Sequence, residues 1–101
     1  MNKAQNELQK ALKYLDFGRL EQGEQCLTQA IEAADSAGDS TTYIRAAVCY
    51  GDLLWQTEKY EEAERWLQLA LGRYVSLQLD TDVLDLEVSR AQTLLAQMAK
   101  G

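Results

Sequence analysis

YIRAAVCYGDLLWQTEKYEEAERWLQLAL, residues Tyr43 to Leu71, is the stretch whose reading decides the fold. Ile44, Ala47, Val48, Gly51, Leu54 and Trp55 recur at the spacing of one helical face. Tyr60, Ala63, Leu67, Ala70, Leu71 and Tyr74 make a second such face. The polar Gln56-Thr57-Glu58-Lys59 between them is long enough only to reverse direction, so two antiparallel helices are predicted. Gly51 and Ala63 are small enough to let the backbones approach, while Leu54, Tyr60 and Leu67 fill the space around them.

Outward from that hairpin the pattern returns with a period of 40 residues. Leu8, Val48 and Val88 correspond, as do Ala11, Gly51 and Ala91, then Tyr14, Leu54 and Leu94, then Leu15, Trp55 and Leu95. In the second helices Leu20 matches Tyr60, Gly23 matches Ala63, Leu27 matches Leu67 and Ala30 matches Ala70. Helical periodicity alone repeats stripes; it does not repeat the same order of large and small at a fixed offset. The rival arrangement is a five-helix bundle of unrelated helices.

The chain of 101 residues is read as a single domain, 1–101, able to bury a core without staples. Repeat 1 is expected over about 3–37, with helices Lys3–Asp16 and Leu20–Ala37 and with Gly18 and Gly38 closing them. Asp39 or Ser40 is placed to cap the next helix, which opens repeat 2 at about 41–78. Asp80, Thr81 and Asp82 are expected to open a last helix over about 81–99, striped by Leu84, Val88, Ala91, Leu94, Leu95 and Met98. The sequence contains no proline and is rich in Ala, Leu, Gln and Glu, which suits helices throughout.

Gly51, Leu54, Tyr60, Ala63, Leu67 and Ala70 carry a family resemblance, and KYEEAERWLQLAL is its clearest run. Ala11, Tyr14, Gly18, Leu20, Gly23, Leu27 and Ala30 hold the same places in the first unit. These units resemble tetratricopeptide repeats, two and a half of them. The resemblance implies an all-α fold of five helices, stacked as antiparallel pairs in a right-handed superhelix with a concave face built from the first helix of each unit. There are departures. The spacing exceeds the usual ~34 residues, and the proline that often follows such units is absent. Glu58 stands where the turn usually has glycine, and a left-handed conformation there costs about 1–2 kcal/mol. At the two ends, Glu7, Lys10, Glu87 and Arg90 replace the pattern of Ala47 and Tyr50. They are read as polar outer faces that solvate a self-contained domain, with a piece cut from a longer array as the rival.

By helical spacing the concave face would draw on Leu8, Leu12, Arg45 and Val48, and on Asp52, Trp55, Gln56 and Gln92. Leu8, Val48 and Trp55 serve equally well as packing between first helices, whereas Leu12, Arg45, Asp52 and Gln56 sit one step off the stripe and point to binding. Some members of the family hold a partner's terminal carboxylate with paired Lys and Asn. Here the matching places carry Leu8, Leu12, Cys49, Asp52, Asp85 and Ser89, from which no cationic clamp can be built. Trp66, Leu69 and Leu77 widen the stripe of the fourth helix, as a surface covered by the last helix or as a self-association patch giving a homo-oligomer.

Bulk properties narrow the function. Sixteen acidic against ten basic residues give a net charge of -6, which argues against nucleic acid and favours a basic or neutral partner. No apolar run reaches the ~18 residues of a membrane span, and the opening MNKAQNELQK lacks the apolar centre of a secretory signal. Cys26 and Cys49 have no metal-ligand spacing and are expected as reduced thiols of a cytoplasmic protein. There is no histidine, phosphate loop or nucleophile elbow, so neither an enzyme nor a cofactor is expected. The expected function is a protein- or peptide-binding adaptor. The alternatives are a regulatory domain that takes a small ligand or signalling peptide, and a small assembly chaperone.

Overall fold

The computed structural model describes residues 2–77 and 84–100, which form five α-helices and no β-strand. They are α1 Lys3–Asp16, α2 Leu20–Ala37, α3 Ser40–Gln56, α4 Tyr60–Leu77 and α5 Asp85–Lys100. α1 and α2 have the bounds expected of them, and α5 runs one residue past Ala99. The expected opening of the last helix at Asp80, Thr81 and Asp82 lies outside the described residues, as does residue 78 at the expected end of repeat 2.

The helix ends follow local chemistry. Asn2 accepts from the Gln5 amide at 2.8 Å while the Gln5 side chain accepts from the Asn2 amide, a reciprocal cap on α1. Asp39 caps α3 by accepting from the Thr42 amide at 3.1 Å, and its other oxygen accepts from the Asn2 side-chain amide. Partial burial pushes the Asp39 carboxyl up, but the bonds from Thr42 and Asn2 outweigh it and hold the group below its ordinary value.

The two hairpin turns are the same turn. Gly18 has φ 76° and Glu58 has φ 65°, both left-handed. Arg19 N–H donates to Tyr14 O at 2.8 Å and Lys59 N–H to Leu54 O at 2.8 Å. Inside those bonds Gly18 N–H donates to Leu15 O and Glu58 N–H to Trp55 O, which satisfies the last carbonyls of α1 and α3 alike. Glycine takes this conformation freely in the first turn; glutamate takes it under strain in the second.

α1 packs on α2, α3 on α4, α2 on α3, and α5 against both α3 and α4. α1 also touches α3, whereas the backbones of α2 and α4 stay apart among the described residues and the two helices meet through the Arg73 and Asp35 side chains. The Cα radius of gyration is 12.9 Å, close to the ~13 Å of a folded chain this long. Leu27, Ile44, Leu54, Leu67, Leu84 and Leu94 are the largest fully buried side chains. Close approach within each hairpin depends on one glycine, placed differently in the two. A Cβ on Gly23 of α2 would lie 2.6 Å from Leu15 Cδ2 of α1, whereas a Cβ on Gly51 of α3 would lie 2.7 Å from Leu67 Cδ2 of α4. The glycine makes room for a leucine of the first helix in one hairpin and of the second helix in the other.

Arg73 of α4 ties three helices together. Its guanidinium lies 4.2 Å from the Tyr43 ring centroid, donates to Asp35 Oδ1 at 2.9 Å and reaches Ser40 Oγ at 3.3 Å.

Candidate interaction cleft

α3 contacts both α1 and α5, and its outward side forms the floor of a cleft of about 310 Å³. Leu8 and Leu12 of α1 line one wall; Leu86, Glu87 and Arg90 of α5 line the other; Arg45, Val48, Cys49 and Asp52 lie between them. A second cavity of about 430 Å³ shares Leu8, Leu12 and Arg45 and extends along α1 to Gln5, Gln9 and the start of α3. Val48 is buried in the floor, while Leu12 is 45% exposed and Leu86 84% exposed on the two rims.

Two ion pairs of opposite polarity cross from α3 to α5. Arg45 Nε lies 3.4 Å from Glu87 Oε1. Arg90 donates to both oxygens of Asp52, from Nη2 to Oδ1 at 3.0 Å and from Nε to Oδ2 at 3.3 Å. The hydrogen bond to Asp52 raises the Arg90 pKa further, outweighing a small effect of burial. Gln56, exposed at the end of α3, also donates to Asp52 Oδ1, at 3.2 Å. Between these charges Cys49 is half-buried; burial, then the Asp52 charge, push its thiol up to about 11. It is a neutral wall residue, and both Cys26 and Cys49 are free.

Of the residues expected on this face, Leu8, Leu12, Arg45, Val48 and Asp52 come together in the cleft. Trp55 does not line it: it borders a separate cavity of about 470 Å³ with Tyr60, Gln97 and Met98. Gln92 is exposed on α5 and lies outside the cleft lining. Glu87 and Arg90 belong to the cleft, which differs from their expected place on an outward polar face. The opposite charges on α3 draw them across. The Glu87 side chain is 24% exposed and that of Glu7, two periods earlier, 12%; each keeps a buried Oε2 without a hydrogen-bond partner. Leu86 gave no signal in the sequence beyond being an apolar residue off the stripe.

The other expected surface is divided. Trp66 is half-buried with its ring 5.6 Å from that of Tyr50 of α3, and the Arg65 guanidinium lies 6.0 Å from the Trp66 ring. Tyr50 in turn donates to Glu24 Oε1 of α2 at 3.2 Å. Leu77 is half-buried against the core, while Leu69 is 42% exposed. Among the described residues no group of three His, Cys, Asp or Glu is arranged to hold a metal ion, and no helix is long and apolar enough to cross a membrane.

No protein-family model, curated protein or solved structure matches this chain. The reading of the cleft therefore rests on its own geometry.

Proposed function

We propose that this chain is a protein-interaction module of tetratricopeptide type, two hairpins and a closing helix stacked as a right-handed superhelix. It holds a segment of another protein in the cleft over α3 and works as a cytoplasmic adaptor. The observation that carries this reading is a floor centred on buried Val48 and flanked by two exposed leucines, Leu12 and Leu86, on different helices. Exposed aliphatic residues facing one another across a concave surface gain most from a partner that covers them both.

Two further features support the stacked arrangement. The turns at Gly18 and Glu58 repeat the same hydrogen bonds one period apart. The first helices touch in succession, α1 with α3 and α3 with α5, as a stack of hairpins requires. Binding is favoured over catalysis because the sequence has no histidine and the cleft thiol is held neutral.

The test uses the intact chain and a Leu12→Gln, Leu86→Gln double variant as baits in native extract. A polypeptide captured by the parent is purified and titrated against both by calorimetry. The expected result is binding to the parent and its loss in the variant. Equal binding by both rules out the cleft as the working surface.

A further inference from the structure

The charged residues of the cleft are matched to one another before any ligand arrives. Arg45 meets Glu87 and Asp52 meets Arg90, each pair spanning α3 and α5. A cationic side chain entering the cleft meets Asp52 and Glu87 already neutralised by Arg90 and Arg45, and the unpartnered Glu87 Oε2 can be satisfied by an uncharged N–H of a peptide. An anionic side chain faces the reverse exchange. In either case one ion pair is traded for another and little is gained. Aliphatic side chains displace no charge and cover Leu12, Leu86 and Val48.

We propose, resting on the cleft reading above, that Glu87 and Arg90 set specificity by neutralising Arg45 and Asp52, so that the cleft selects polypeptide segments with an uncharged, aliphatic contact face. The net charge of the whole chain, -6, favours basic partners at long range. The local pairing removes that preference at the contact itself. α1 contributes only Leu8 and Leu12 to the cleft, so its one charged wall is α5, and both of that wall's charges are spent on α3.

The experiment selects binders from a displayed library of random peptides against four folded proteins: the parent, Arg90→Gln, Glu87→Gln, and the double variant Leu12→Gln, Leu86→Gln. Circular dichroism verifies folding. Parent binders should be rich in Leu, Ile, Val or Phe and poor in charge. A synthesised representative should change its affinity less than about twofold between ~50 and ~500 mM sodium chloride, because screening has no net charge to act on. Arg90→Gln releases Asp52 and should select Lys- or Arg-bearing peptides; Glu87→Gln releases Arg45 and should select Asp- or Glu-bearing ones. A fifth protein, Asp52→Arg with Arg90→Asp, restores the pair in reverse and should return to uncharged peptides. Charged, salt-sensitive binders from the parent overturn the proposal, as does one set of binders shared by the parent and both Gln variants. If those binders are nonetheless lost in the leucine double variant, the cleft reading stands and only its specificity rule falls. Binders that ignore the leucine changes, or no enriched binders at all, overturn both.

Discussion

Arg90 and Asp52 face each other across the α3–α5 interface in a two-pronged contact, 3.0 Å from Nη2 to Oδ1 and 3.3 Å from Nε to Oδ2. Such a fork is better aligned than most surface pairs, but both side chains remain within reach of water. A double-mutant cycle with Arg90→Gln and Asp52→Asn should give a coupling of about 0.5–1 kcal/mol in urea unfolding, shrinking as salt is raised. A coupling near zero at low salt contradicts the contact.

The helical glycines should respond to alanine in opposite directions. A Cβ at Gly51 meets Leu67 Cγ and Cδ2 at 2.7 Å, and Leu67 is fully buried. Gly51→Ala should therefore lose about 1–2 kcal/mol despite the better helix propensity of alanine. A methyl group added at Gly72, on the exposed side of α4, would meet nothing within 4 Å. Gly72→Ala should gain roughly 0.5–1 kcal/mol. Denaturant midpoints of the two variants decide it.

Glu58 holds φ 65° in a turn whose counterpart uses glycine. Glu58→Gly should raise stability by about 1 kcal/mol, since the relief of left-handed strain exceeds the added freedom of the unfolded chain. Gly18→Ala, the same exchange in reverse, should lower it by a similar amount. Thermal unfolding of both variants checks the sign.

Arg73→Lys keeps the charge and removes the planar group that stacks on Tyr43 while bonding Asp35 and Ser40. A loss of about 1 kcal/mol is expected, with Arg73→Ala losing more. If lysine is fully equivalent in calorimetric melting, the stacking contributes nothing.

The Cys49 thiol, at about 11 against an ordinary 9.0, should react with a disulfide reagent roughly 100-fold more slowly at pH 8 than an ordinary cysteine, from its thiolate fraction alone. The folded protein keeps this proton where the unfolded chain has released it. The stabilisation is thus complete below pH ~9 and is lost as pH rises through about 11, on the order of 2 kcal/mol. Tyr50, pushed up to about 12 chiefly by burial, extends the same trend to higher pH. Urea midpoints should fall across this range and fall less in Cys49→Ala.

Much of this architecture was legible because its signals are local. Turn residues at Gly18 and Gly38 and the 3.6-residue stripes between them suffice to bound α1 and α2. The reciprocal cap of Asn2 and Gln5 carries the same kind of local signal, two residues three apart at the head of an apolar stripe, though stripes and glycines alone pass over it. The α5 wall of the cleft was not readable from the period. The repeat register places Glu87 and Arg90 where Ala47 and Tyr50 stand, and Tyr50 reaches back to Glu24 of α2. Glu87 and Arg90 instead reach Arg45 and Asp52 of α3. That choice follows from attraction between particular charges on separate helices, which no spacing along one helix encodes. Trp55 is ambiguous for a different reason: its stripe position is shared by core and cleft, and it packs against the core while bordering a separate cavity with Met98.

The unequal placement of Gly23 and Gly51 has a bearing on how the chain avoids mispairing. Were α1 to dock on α4 through these same faces, Ala11 would meet Ala63 with no glycine to admit the leucines, and the helices would be held apart. Were α3 to dock on α2 in that way, Gly51 would meet Gly23 and leave a void. Two near-copies in one polypeptide are a standing invitation to shuffle partners, and a single hydrogen in place of a methyl, set on alternate sides, tells each helix which neighbour is its own.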